Sequence, residues 1–258
     1  MARTVGPFLP ASRTADRNLR RALPELDRAA RRRVVRGVWD NLGRTVAELP
    51  HVASFGPTSS GPGWEVAGDE HIQALVRRGG PMLMFSGHLG NWEMLPSVAA
   101  SYGLPFASIY RASANAGVDA LLRNMRAAAN PGMPQFPKGA RGARGALAHV
   151  RGGGSLGLLV DQKMNDGVEA TFFGLPAMTA NALASIAVSR RLPVVGADVI
   201  RLGPARCRVV VEPPLPVPDT GDRQADVQAL TQAVNDSLER WVRARPEGWL
   251  WLHRRWKE

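Results

Sequence analysis

Residues 82–93 place the tightest constraint on how this chain can fold. Met82, Leu83, Met84 and Phe85 form a short apolar run after RRGGP, followed at once by Ser86, Gly87, His88, Leu89 and Gly90. An apolar run of that length, bounded by turn residues, predicts an interior strand. Asn91 then suits the N-cap of a helix starting there. The segment therefore demands a strand–turn–helix unit, with His88 in the turn and Glu93 in the first helical turn. Inside one continuous helix, five residues amount to roughly 140° of rotation, and the two side chains would diverge. Across a turn they can converge. A carboxylate could then hold one imidazole nitrogen protonated while the other takes a proton from a hydroxyl. The same residues also admit a plainer reading, a hydrogen-bonded turn histidine and a glutamate that complements the helix dipole.

The pattern around this unit alternates. Residues 12–48 read as two helical pieces split near Pro24, the second with Val34, Val38, Leu42 and Val46 on one stripe. A Gly/Pro/Ser-rich connection covers 51–66, and a short helix surrounds Glu70–Val76. Strands are expected at 82–85, 105–111, 155–161, 194–200 and 206–211. Helices are expected at 91–102, 115–129, 140–151, 179–191 and 221–245. The last of these presents Val227, Leu230, Val234, Leu238 and Trp241 on one face. Such alternation predicts an α/β fold, a mixed, largely parallel sheet flanked by helices, with a helical N-terminal segment. The expected organisation is a basic helical segment, residues 1–50, packed on an α/β unit of 51–258, together a single domain. Ligands of such sheets gather at strand carboxyl ends, where His88, Arg111 and Asp161 fall.

Composition narrows the classes. Charged residues make up 21% and hydrophobic ones 45% of the 258 residues, which excludes a disordered tail. Cys207 is the single cysteine, in the expected strand CRVVV, so neither a disulfide framework nor a zinc-ligand spacing exists and a reducing compartment fits. The formal charge of +11 is almost wholly arginine, because Lys138, Lys163 and Lys257 are the only lysines. It is concentrated in the first 50 residues and in the Trp/Arg-rich carboxyl end. Basic charge beside Trp241, Trp249, Trp251 and Trp256 suits an anionic membrane surface, nucleic acid or an acidic protein. No segment qualifies as a transmembrane helix or signal peptide. The uncharged parts of 170–189 are broken by Gly174 and Pro176, and read as a buried loop leading into a core helix. GGGSLG at 152–157 matches a dinucleotide fingerprint only literally, since it precedes a strand instead of following one.

Four motifs in register carry a resemblance. HLGNWE, IYR with Arg126 fifteen residues beyond Arg111, LVDQKMNDGVEATFFGLPAMT, and PEGWLWLHRRWK resemble the lipid A biosynthesis acyltransferases, the lauroyl/myristoyl acyltransferase family of Gram-negative bacteria. The resemblance implies a glycerolipid-acyltransferase-like fold. It implies transfer of a fatty acyl chain from acyl carrier protein to a hydroxyl on a lipid A precursor, with His88 as general base oriented by Glu93. Arg126 would bind phosphate or stabilise the oxyanion, and Asp161 would orient Arg126 or Arg111. Arg111, Gln162 and Thr179 would contact substrate. The carrier's thioester is a co-substrate, and no metal or diffusible cofactor is implied. The same dyad would serve a related acyltransferase acting on a lysophospholipid, ornithine lipid or glycolipid; a basic binding protein without catalysis would need only the Arg/Trp surface. Expected partners are acyl carrier protein and an anionic membrane lipid, and not nucleic acid. Members of the family usually begin with a hydrophobic anchor helix, whereas VGPFLPASRTADRNLRRALPEL resembles the basic segment that follows it. The expectation is peripheral attachment to the cytoplasmic face of the inner membrane, through the first 50 residues and the Trp/Arg end.

Overall fold

In the computed structural model, which describes residues 1–113 and 115–257, the chain opens with three helices: α1 (Ala2–Val5), α2 (Pro10–Ala22) and α3 (Arg28–Glu48). Asp27 caps α3 by accepting from the Ala30 amide, and Pro24 lies in the break between α2 and α3. Next come β1 (Gly56–Pro57), β2 (Gly63–Ala67), α4 (Asp69–Arg78), β3 (Leu83–Ser86), α5 (Leu95–Ser101) and β4 (Phe106–Tyr110). They are followed by α6 (Ala116–Ala129), β5 (Gln135–Pro137), α7 (Ala140–Arg151) and β6 (Ser155–Leu159). The rest comprises β7 (Lys163–Phe172), β8 (Leu175–Thr179), α8 (Ala182–Arg190), β9 (Val194–Gly203), β10 (Arg206–Val211) and α9 (Arg223–Ala244).

Among the described residues, eight strands form one sheet in the order β1-β2-β10-β9-β3-β6-β4-β5. Only the β9–β10 pair is antiparallel, so the sheet is mixed and mostly parallel, as the alternation predicts. Strand pleating decides the two layers. Leu83 and Phe85 enter one cluster with α2, α3, α8, α9 and the carboxyl-terminal tryptophans, while Met82 and Met84 enter the other with α4 and α5. All five residues expected on the apolar face of α9 are buried.

Several expectations need correction. The helix after His88 starts late. Residues Trp92–Met94 form a 3₁₀ turn, and α5 begins only at Leu95, because Pro96 is tolerated in a first helical turn and not further in. The connection 51–66 contains β1 and the start of β2, and β5 lies where no strand is expected; these are short edge elements with no apolar run to announce them. Of the 170–189 segment expected as a buried loop leading into a core helix, the helix is α8, but the loop part belongs to the hairpin β7–β8. Its two-residue connection, Phe173–Gly174, has φ of 56° and 69°. A hairpin that tight needs positive φ at both central positions to match the strand twist. Phe173 adopts that conformation while its ring packs on Trp251 and Trp256.

The stripe on α3 also breaks. Val34 and Val38 are buried, but Val46 is 62% exposed, and the polar residues Asn41, Thr45 and Glu48 turn inward instead. The largest correction concerns the tryptophans. Trp241, Trp249, Trp251 and Trp256 are all buried, so they are not available to a membrane surface. Phe172 lies between Trp249 and Trp256, and Trp249 meets Trp251 edge-on at 4.6 Å. Each indole N–H has a partner: Trp241 donates to Glu212, Trp249 to Asp161, Trp251 to the Pro246 carbonyl and Trp256 to the Phe172 carbonyl. Arg255 is fully buried too, 4.9 Å above the Phe172 ring and bonded to the Met178 carbonyl and the Thr179 hydroxyl. Burial lowers its pKa to about 10. The sequence pattern misleads here because amphipathic Trp and Arg look alike at a membrane and in a polar-lined core.

Trp251→Ala should therefore cost about 3–5 kcal/mol in urea unfolding, the usual loss for a buried large aromatic. A loss below about 0.5 kcal/mol, as for a surface substitution, would show that the indole is not in the core.

Candidate active site

Strand register builds the site. β3 and β6 are parallel neighbours with Ser86 opposite Leu159, and the Val160 amide donates to the Ser86 carbonyl. Two residues beyond that pair, on the same side of both strands, stand His88 and Asp161. Their meeting is thus dictated by the sheet. The His88 amide donates to Asp161 Oδ2 at 2.9 Å, and His88 Nδ1 lies 2.8 Å from Asp161 Oδ1. Gly87 permits the approach, since a Cβ there would sit 3.2 Å from Leu238 and 3.4 Å from Asp161.

Asp161 is completely buried, and its third partner comes from the far end of the chain: Trp249 Nε1 donates to Oδ2 at 2.7 Å. The backbone repeats the tie. Leu89 bridges to Trp249, the Leu250 amide donates to the His88 carbonyl, and the Gly90 amide donates to the Gly248 carbonyl. With a carboxylate on Nδ1, that nitrogen carries the proton and Nε2 keeps its lone pair. Trp92 meets the His88 ring edge-on at 5.0 Å. Burial opposes a charged imidazole, but the Asp161 carboxylate outweighs it, and His88 titrates above the ordinary histidine value. Burial likewise favours a neutral Asp161, yet His88 holds that carboxyl far below the usual carboxylate range.

This geometry corrects the expected dyad. No hydrogen bond among the described residues joins Glu93 to His88. Glu93 instead clamps Arg126 with both oxygens, Nε to Oε2 at 2.8 Å and Nη2 to Oε1 at 2.6 Å, and Trp92 Nε1 adds a bond to Oε1 at 3.2 Å. Glu93 acts on His88 only through its charge. The expected pairing of Asp161 with Arg126 or Arg111 is corrected by the same contacts. The physical reason is the late helix: with 92–94 in a 3₁₀ turn, Glu93 points toward α6 and not back to the strand end. Asn91 does cap this turn, its Oδ1 accepting from the Glu93 amide at 3.2 Å.

A cavity of about 490 Å³ opens beside these residues. His88, Glu93 and Arg126 line it with Arg111 and Gln162, whereas most of the wall is apolar, including Leu49, Val52, Met84, Phe106, Met133 and Leu158. Arg111 and Lys138 stand exposed at its edge, at the carboxyl ends of β4 and β5. Thr179 is not in this wall. It is fully buried under Arg255 and Asn235, where it fastens the hairpin to the carboxyl-terminal arm. Trp249 is the site residue that sequence reasoning placed elsewhere, and only its position in PEGWLW could have signalled it. A base and a cation among the polar lining residues, in a cavity otherwise lined mostly by apolar side chains, suit chemistry at the polar head of an aliphatic substrate.

A family described as bacterial lipid A biosynthesis acyltransferase matches residues 1–258, the whole chain. No curated protein matches it.

If Asp161 is the partner of His88, Asp161→Asn should lower the rate of the reaction by about 10² to 10⁴, the usual worth of a correctly poised base. The active base is the neutral imidazole, so a raised pKa sets the acidic limb of the kcat/KM profile above that of an ordinary histidine. Removing the Asp161 charge should move that limb to lower pH. Glu93→Gln should move it less, and a larger shift for Glu93→Gln would reverse the assignment.

Proposed function

This chain belongs to the bacterial lipid A biosynthesis acyltransferase family, and from that premise we propose that it moves a fatty acyl chain from acyl carrier protein to a hydroxyl of a lipid A precursor. The observation that carries the reading is the Asp161–His88 pair in the polar wall of an apolar cavity, with Arg126 in the same wall. The membership sets aside a basic binding protein without catalysis.

In this reading His88 Nε2 takes the acceptor's hydroxyl proton as the oxygen attacks the thioester carbonyl. Asp161 stabilises the imidazolium that forms. The carbon–sulfur bond then breaks, the proton passes from His88 to the departing sulfur, and an ester and a carrier thiol result. The thioester already carries an activated acyl group, so a base, a proton shuttle and a cation supply what the transfer needs. Arg126 provides the cation. Its clamp by Glu93 engages two of the five guanidinium N–H groups and fixes the plane, so that others can meet the developing oxyanion or a phosphate. Arg111 and Lys138 at the cavity edge supply charge for anionic parts of either substrate, Gln162 contributes an amide, and the apolar wall takes the acyl chain.

The proposed location is the cytoplasmic face of the inner membrane. Among the described residues no helix is long and apolar enough to cross a bilayer. With the tryptophans buried, the arginine-rich first 50 residues remain to meet an anionic leaflet, each basic residue contributing about 1 kcal/mol near such a surface. Val5 and Phe8, 54% and 86% exposed, lie among those arginines. Binding to anionic vesicles should therefore fall steeply as salt rises; equal binding to neutral vesicles would remove the electrostatic part of this proposal.

Catalysis is tested with purified protein, an acyl carrier protein thioester and a lipid A precursor, the product being weighed by mass spectrometry. His88→Asn is the informative variant. Its amide nitrogen can replace Nδ1 as the donor to Asp161, whereas His88→Ala would strip a buried carboxylate of its ring donor at Oδ1 and confuse stability with catalysis. His88→Asn should keep the unfolding midpoint and lose about 10² to 10⁴ in rate. Arg126→Lys should retain only part of the activity, because an ammonium cannot reproduce the bidentate clamp. Transfer by His88→Asn at the wild-type rate would sink the base assignment.

A further inference from the structure

Behind the turn that carries Glu93 lies a polar network with no substrate-facing part. Its centre is Arg201 on β9, whose three guanidinium nitrogens each hold a different residue of α3. Nε donates to Asn41 Oδ1 at 2.7 Å, Nη2 to Thr45 Oγ1 at 3.1 Å, and Nη1 to Glu48 Oε1 and Oε2 at 2.6 and 2.9 Å. Asn41, Thr45 and Glu48 are spaced four and three apart, so they share one face of the helix. Each of them also bonds forward to the turn. Asn41 Nδ2 and Thr45 Oγ1 donate to the Gly90 carbonyl at 2.9 and 3.1 Å, and Glu48 Oε2 accepts from Asn91 Nδ2 at 2.7 Å.

Asn91 is wholly buried and has both ends of its amide committed: Nδ2 to Glu48, Oδ1 to the Glu93 amide. Gly90 has φ of 53°, and a Cβ there would meet the Val199 carbonyl at 2.4 Å, so the turn is pressed against the sheet as well. The sequence from Arg201 through Glu48 and Asn91 to Glu93 ends on the bidentate Arg126 clamp.

We propose that Asn91, aimed by Glu48, is a positioning residue for the Glu93–Arg126 pair, so that α3 sets where the cationic group stands in the cavity. A buried amide with one donor and one acceptor contact can hold only one orientation. Glu48, as an acceptor-only carboxylate, fixes which end of Asn91 faces it. The Glu93 backbone is thereby pinned two residues from the Asn91 cap, and its side chain has little freedom to follow Arg126 should α6 shift. The inference rests on the acyltransferase reading for its rate measurements only.

The test is a double-mutant cycle on kcat, with unfolding midpoints measured alongside. Asn91→Ala should lower kcat by about 10- to 100-fold, the scale seen when a group that orients a functional ligand is lost. In an Arg126→Lys background, which already lacks the bidentate clamp, the same change should cost less than about threefold. An equal loss in both backgrounds would overturn the proposal, because a merely structural Asn91 would act regardless of Arg126. Should Asn91→Ala not fold, the pair can be reversed. Asn91→Asp alone sets two carboxylates against each other, and adding Glu48→Gln restores a donor opposite an acceptor. Recovery of kcat in the double variant supports the proposal, and a double variant as slow as Asn91→Asp overturns it. Should the wild-type chain transfer no acyl group, the functional reading fails, and hydrogen exchange at the Glu93 amide decides this inference by itself. Faster exchange in Asn91→Ala at an unchanged midpoint supports it; unchanged exchange overturns it.

Discussion

A single buried carboxylate organises this molecule. Asp161 has no solvent contact, and an ionised group in that position is tolerable only if its lone pairs are filled. The donors that fill them are the His88 amide, the His88 ring and the Trp249 indole, separated along the chain by up to 161 residues and brought together by three elements. The requirement runs both ways. Asp161 needs the carboxyl-terminal arm to fold back, and the arm's aromatic cluster needs the β7–β8 hairpin on which Phe172 and Phe173 are presented. Loss of any partner leaves a charge in the core, so the base and the fold share one electrostatic constraint.

Arginine then serves three unlike purposes. Arg255 is core material, its guanidinium lying on an aromatic face and its N–H groups bonded to the hairpin. Arg201 and Arg126 are clamped by buried or half-buried carboxylates, where fork geometry matters more than charge. The exposed arginines of α2 and α3 supply a diffuse positive field that salt can screen. Net charge of +11 alone would not separate these roles, although the first two fix geometry and the third can only attract.

The cavity combines these parts. Its polar lining includes His88 and Gln162 beyond the ends of β3 and β6 and Arg126 near the end of α6, and its apolar lining includes Met84, Phe106 and Leu158 of the sheet. Because the strand ends hold His88 and Asp161 through a parallel register, the base has little freedom to move. Arg126 sits on α6, a helix with no buried residue, and depends on Glu93 for its place. Rigidity at the base and dependence at the cation are the two mechanical properties any account of this site must respect.

Much of the fold was legible in the chain. Short apolar runs between glycines marked β3 and β6, period-3.6 stripes marked α3 and α9, and turn residues marked most boundaries, because local sterics and burial act on neighbours in sequence. His88, Arg111 and Asp161 could be named as residues of one region, since strand ends in such sheets converge, and Glu93 by its spacing from His88, whereas Arg126 and Gln162 were named only through the family resemblance. What sequence could not decide was who touches whom. Asp161, not Glu93, meets His88 because Ser86 pairs with Leu159, and register is a property of two strands 73 residues apart. Glu93 turned to Arg126 because a 3₁₀ turn delayed the helix, and Thr179 left the substrate wall for the core because Arg255 needed an acceptor. The tryptophans went inward for the same kind of reason. An indole suits a membrane and a core equally, and only tertiary packing, by supplying a hydrogen-bond partner for each N–H and a face for each ring, chose between them.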